Sequence, residues 1–143
     1  MVNEHWANSY IEIPYINGGR CKKGFDCWGL VRWVLHKEMG GPLLESYGHV
    51  NADDKASLTK SFKSEVEHFI PFKAEEFSVA AGFRGPLLLH VGICIKVNNK
   101  LMVLEISKRH GVSITELKAF KRKYSKVEFY KYVSKIKSVP RQV

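Results

Sequence analysis

Apolar residues change their spacing midway along the chain. After Cys27, Val31, Val34 and Leu35 recur at helical intervals until Met39-Gly40-Gly41-Pro42 supplies a glycine stop and a proline breaker, which predicts a helix from about Cys27 to Met39. Ahead of it, Trp6, Tyr10 and Ile13 predict a short helix or turn within Trp6–Tyr15, followed by a loop rich in glycine and charge at Asn17–Gly24. Residues 43–54 carry no periodic pattern. Asp53-Asp54 then offers caps to Leu58, Phe62, Val66 and Phe69, predicting a second helix from about Asp54 to Phe69, ended by Pro71. From Leu87 onward the period shortens to that of strands: Leu87–Val97, a turn at Asn98-Asn99, Leu101–Ile106, Val112–Ile114, and Val127–Val133 after a helical or turn excursion over Thr115–Lys123. This reads as an antiparallel meander. Helices first and strands afterwards, without βαβ alternation, predict an α+β domain with N-terminal helices packed on an antiparallel β-sheet.

A chain of 143 residues fits one domain with a real core, read as residues 1–133, followed by a basic C-terminal tail at 134–143 with no apolar pattern. No apolar run approaches a membrane span, and the first residues lack the basic start and apolar stretch of an export signal. The expectation is a product made in the cytoplasm, with no membrane partner. Three cysteines without regular spacing argue against a disulfide framework, and Cys21 and Cys27 lack the spacing and histidine partners of a zinc site, so neither metal nor cofactor is expected. The net charge of +9 suits a polyanionic partner. Its late concentration, from Lys118 through Arg141, reads as a solvated face and tail rather than a dedicated nucleic-acid surface, since no recognition signature accompanies it.

The chemistry centres on Gly24-Phe25-Asp26-Cys27-Trp28-Gly29-Leu30-Val31-Arg32, where a cysteine stands at the point where loop becomes helix. A thiol in the first turn of a helix sits beside unpaired backbone N–H groups and the positive end of the dipole, which favour a thiolate. The alternative is a small buried hydrophobe, which is what most free cysteines are. A second stretch, Leu88-Leu89-His90-Val91-Gly92-Ile93-Cys94-Ile95, tips the balance by placing a histidine at the start of a core strand. Together these are the two parts of a thiol–imidazole pair. Alternation puts His90, Gly92 and Cys94 on one face of the strand and Val91, Ile93 and Ile95 on the other. Cys94 is read as packing, Cys21 as a bystander, and His49 and His68 as surface or boundary residues.

With Pro14-Tyr15, Gly18-Gly19, Asp26-Cys27-Trp28-Gly29-Leu30 and His90-Val91-Gly92-Ile93 in this order, the chain resembles the NlpC/P60 family of papain-like cysteine peptidases that cut peptidoglycan stem peptides. A narrower resemblance, carried by Trp28, Arg32, Trp6 and Tyr10, is to the tail-associated members from phages and prophages. The resemblance implies Cys27 as nucleophile and His90 as general base, with the γ-D-glutamyl–diamino-acid link as the bond cut. Tyr15 matches the family's tyrosine near the nucleophile, where it would either donate to the oxyanion or pack beside the site. Asp26 and Trp28 flank the nucleophile as candidate oxyanion or substrate-binding residues, Asp26 being read as a cap rather than a catalytic acid. Where the family commonly has a histidine to orient the imidazole, counting back from Gly111-Val112 gives Glu105, with His110 in reserve. The family's Gly-Asp turn and apolar strand before the histidine are replaced here by Glu75–Gly85.

Three functional readings follow. The first is a cysteine endopeptidase of peptidoglycan carried in a virion tail; the second is a tail-tip structural component using the same fold, with tail-tip proteins as partners. The third, a basic nucleic-acid binder, rests on charge alone.

Overall fold

A computed structural model describes residues 5–133, so the basic segment from 134 lies outside the described residues. The chain opens with a 3-10 turn, Trp6–Tyr10, whose first free N–H, that of Ala7, is capped by His5 Nδ1. Two short strands, β1 (Arg20–Cys21) and β2 (Gly24–Phe25), form a hairpin inside the glycine-rich loop and lead into helix α1 (Cys27–Lys37). Helix α2 (Lys55–Glu65) follows an irregular stretch. Six further strands are β3 (Phe69–Phe72), β4 (Val79–Arg84), β5 (Leu87–Val97), β6 (Lys100–Ser107), β7 (Gly111–Glu116) and β8 (Lys126–Tyr132), with the short helix α3 (Leu117–Arg122) between the last two.

The six strands form one antiparallel sheet in the order β3-β8-β4-β5-β6-β7. Helices α1 and α2 cover one face, where Leu30, Val31, Val34 and Leu35 meet Val91, Ile93, Ile95 and Leu104 in the main core. The other face carries a smaller cluster of Ala80, Cys94 and Val103 under Phe120 of α3. Period-two alternation along β5 explains the division, since Val91, Ile93 and Ile95 enter the large core and Cys94 the small one. Cys94 is thus a packing residue, and its burial pushes its thiol up to about 12.

The α+β expectation holds, with four corrections. Helix α1 stops at Lys37 because Met39 and Gly41 bond back to the carbonyls of Val34 and Leu35 through a left-handed Gly40. The second helix ends at Glu65, and after a 3-10 turn Phe69 starts a strand rather than closing the helix. Pro71 sits inside that strand without cost to the ladder, because β3 is an edge paired with β8 alone. The sheet is a meander only from β4 to β7: β8 crosses back over α3 to lie between β3 and β4. Finally, Val79–Arg84 is a central strand, five of whose six residues are buried. Ala80, Ala81 and Gly82 lack the branched side chains that signal a strand, but Gly82 leaves room for the Tyr124 ring, which a Cβ there would approach to 2.6 Å.

Candidate active site

Asp26 builds the start of α1. Its extended backbone lets the carboxylate turn onto the helix and accept from Gly29 N–H at 2.9 Å, so Cys27 becomes the first helical residue. The same carboxylate accepts from Arg20 Nη1 at 2.6 Å and from Gly18 N–H at 3.1 Å, tying the glycine-rich loop to the helix. Glycine at position 29 is a steric requirement of this join. A Cβ there would lie 2.0 Å from the Gly19 carbonyl oxygen, a backbone atom that cannot step aside.

His90 reaches the thiol from the sheet. The β5–β6 ladder stops at the Ile93–Leu104 pair, and beyond it the strands part. Glu105 follows on the same face as His90, in the space that Gly92 leaves open: a Cβ on Gly92 would stand 3.3 Å from Glu105 Cβ and 2.8 Å from Val103. His90 Nε2 lies 3.1 Å from Glu105 Oε1, which leaves Nδ1 for the thiol of Cys27, a residue that lines the same cleft. Phe120 backs the imidazole with ring centroids 6.2 Å apart. The second oxygen of Glu105 is held by the Thr115 hydroxyl and, at 3.3 Å, by Lys123 Nζ.

These contacts set the charges. Burial works against an imidazolium at His90, but the hydrogen bonds and charges of Cys27 and Glu105 outweigh it and raise the ring to about 9. Burial likewise works against the Glu105 carboxylate, yet the hydrogen bonds from His90 and Thr115 hold it well below the usual range. The pair therefore links folding to pH. Glu105 contributes stability present above its ordinary 4.5 and lost as pH falls toward its folded value. His90 contributes stability complete below its ordinary 6.5 and lost as pH rises through about 9. The melting temperature is expected to peak between these ordinary values and to fall toward pH 9. Scanning calorimetry beside the His90→Ala, Glu105→Gln double variant checks this, because the alkaline fall must flatten there.

Cys27, His90, Glu105 and Tyr15 line one open cleft of about 240 Å³. Burial first, then the neighbouring Cys27 and Asp26, push the Tyr15 hydroxyl up to about 12, so it stays an O–H donor at neutral pH. Asp26 and Trp28 are not brought into this cleft. The Asp26 carboxylate is only 2% exposed and faces Arg20 and the helix amides. Trp28 gives its indole N–H to the Glu45 carbonyl at 2.9 Å and, with Tyr47, lines a second, apolar pocket that shares Cys27 and Ala52 with the cleft. His110 is exposed in the β6–β7 turn, Cys21 is exposed in the loop, and His49 and His68 stand away from the cleft lining. Among the described residues no group of three or more His, Cys, Asp or Glu side chains is placed to hold a metal ion.

Sequence reasoning missed the residues that support the site. Arg20 was signalled by a cation six positions before a capping aspartate, and Lys123 was hidden within a basic run. Tyr124 lines the cleft and Thr115 gives its hydroxyl to Glu105, and no local pattern announces either.

Comparison with known proteins places this arrangement. None of the curated proteins compared with the chain is significantly similar to it in sequence. Among solved structures, the crystal structure of the NlpC/p60 domain of peptidoglycan hydrolase SagA superposes with a TM-score of 0.57 at 19% identity, covering 89% of this chain and 92% of that one. At that identity the likeness establishes a shared fold. The model of the NlpC/P60 family matches residues 12–132, from the strand-capping loop before Tyr15 through the last strand. The chain belongs to the NlpC/P60 family.

Proposed function

We propose that this chain is a cysteine peptidase that hydrolyses amide bonds in peptidoglycan stem peptides, with the γ-D-glutamyl–diamino-acid link as the expected bond. One observation carries the reading: Cys27 lines one open cleft together with a hydrogen-bonded His90–Glu105 pair. Family membership and the likeness to a peptidoglycan hydrolase support the substrate class.

In this reading the Cys27 thiolate attacks the scissile carbonyl while His90 holds the proton. Tyr15 O–H and the Cys27 backbone N–H donate to the oxyanion of the tetrahedral intermediate. His90 then gives its proton to the leaving amine, and water, deprotonated by the same ring, releases the acyl group from sulfur. Glu105 fixes the ring and stabilises its cationic form. Trp28, Arg32, Trp6 and Tyr10 support a tail-associated role, in which the enzyme is made in the bacterial cytoplasm and carried on a virion to open the wall.

The test is mass spectrometry of purified peptidoglycan from several bacteria after incubation under reducing conditions with the wild type or with Cys27→Ala. New stem-peptide fragments that vanish in the variant are expected, and their masses name the bond. Identical profiles on every wall would favour instead a non-catalytic tail-tip component built on this fold.

A further inference from the structure

Glu105 holds more donors than orienting an imidazole requires. Oε1 faces His90 Nε2, while Oε2 accepts from both Thr115 and Lys123. Lys123 reaches it from the turn that closes α3, where its backbone N–H bonds to the Phe120 carbonyl at 3.2 Å. Phe120 is wholly buried, so the turn carrying the ammonium is anchored in the small core. Thus one helix places an aromatic wall against His90 and a cation against its carboxylate partner.

We propose that Lys123 is a positioning residue of this site. Its ammonium pins Oε2 so that Oε1 stays aimed at His90, and its charge keeps the imidazolium acidic enough to protonate a leaving amine. The second role rests on the peptidase reading; the first does not. An imidazolium that faces Cys27 from α1 and Glu105 from β6 is stabilised from both sides, and an acid held too far above working pH gives up its proton slowly. A cation on the far oxygen of Glu105 opposes that stabilisation. The other titratable groups lining the cleft are Tyr15, Asp53, Lys55, Lys108 and Tyr124. Two of the three lysines there are engaged elsewhere: Lys55 donates to the carbonyls of Ala52 and Leu89, and Lys108 pairs with Asp53. Lys123 is the ammonium bonded to Glu105 among the described residues.

The experiment is an NMR titration of the His90 ring in the wild type, Lys123→Met and Lys123→Arg, at low salt. Removing the cation while keeping an apolar stem should raise the His90 midpoint by about half a pH unit, and arginine should restore it. The alkaline limb of kcat on a stem peptide should move by the same amount, with kcat at neutral pH reduced several-fold and KM unchanged. A Lys123→Met titration that superimposes on the wild type would overturn the inference. Lys123 has a side chain 51% exposed, so loss of fold is not expected, and Lys123→Gln gives an independent neutral variant. Stem-peptide cleavage with unshifted titrations sinks this inference alone. Shifted titrations in a protein that cleaves no stem peptide leave the Lys123–Glu105–His90 coupling standing and sink the peptidase reading.

Discussion

Replacing His90 with alanine will lower kcat/KM on a stem peptide by about 10³-fold or more while the fold survives. The size follows from the number of steps the ring serves: it holds the thiol proton, stabilises the thiolate as its cationic partner, and protonates the leaving amine. Because these acts belong to one unit with Cys27, the Cys27→Ala, His90→Ala double variant should be no slower than either single one. Stability should change far less, since the ring borders the open cleft and its side chain is already 17% exposed. Glu105→Gln should cost less, about 10²-fold, because the thiol–imidazole contact persists while the imidazolium loses its anion. The sign of the accompanying pH effect is fixed: without the carboxylate the His90 value falls from about 9, so the alkaline limb of kcat must move to lower pH. Kinetics across pH on a defined stem peptide test all of this, and full activity in His90→Ala would remove the proposed mechanism.

The two candidate reacting groups could be picked out because each lies on an element with a strong local signature. Cys27 follows a capping aspartate at the head of an amphipathic helix, and His90 opens a run of β-branched residues. Glu105 could be counted to from the Gly111-Val112 step because β6 and β7 keep an unbroken register between them. The failures have a common physical origin in tertiary context. Strand β4 is built from alanine and glycine because it is buried on both faces and must admit the Tyr124 ring, and those demands erase the strand signature. Strand β3 contains a proline that only its edge position permits, a fact set by how β8 returns. Lys123 and Thr115 meet at Glu105 across seven residues of intervening chain that include α3, a contact no window of local sequence contains. Trp28 was drawn toward the site by adjacency, but one residue along a helix is a rotation of about 100°, which turns its side chain out of the cleft and into the adjoining apolar pocket.

Asp26→Ala should be the most destabilising single substitution around the site, by about 4 kcal/mol. Three donors converge on this buried carboxylate, and each loses its partner at once: Gly29 N–H at the head of α1, Gly18 N–H in the loop, and the Arg20 guanidinium. Loss of the cap alone accounts for about 1 kcal/mol. The larger share comes from Arg20, whose side chain is only 15% exposed and whose remaining bonds, to the carbonyls of Gly19 and Ser46, do not neutralise it. For a domain whose total stability is of order 10 kcal/mol, this corresponds to a fall in melting temperature of roughly 15 °C. Asp26→Asn keeps an oxygen for Gly29 N–H but no charge for Arg20, and should fall between the two. If the ion pair is the dominant contribution, Arg20→Met combined with Asp26→Ala will be less destabilised than the sum of the single substitutions, because the double variant buries no unpaired charge. Thermal melts of the four proteins in this cycle decide the matter, and strict additivity would assign the cost to the helix cap and loop amides instead. Activity adds a second readout. Cys27 is the first residue of the helix that Asp26 starts, so fraying of that turn must move the thiol away from His90 and lower kcat at temperatures where Asp26→Ala is still folded.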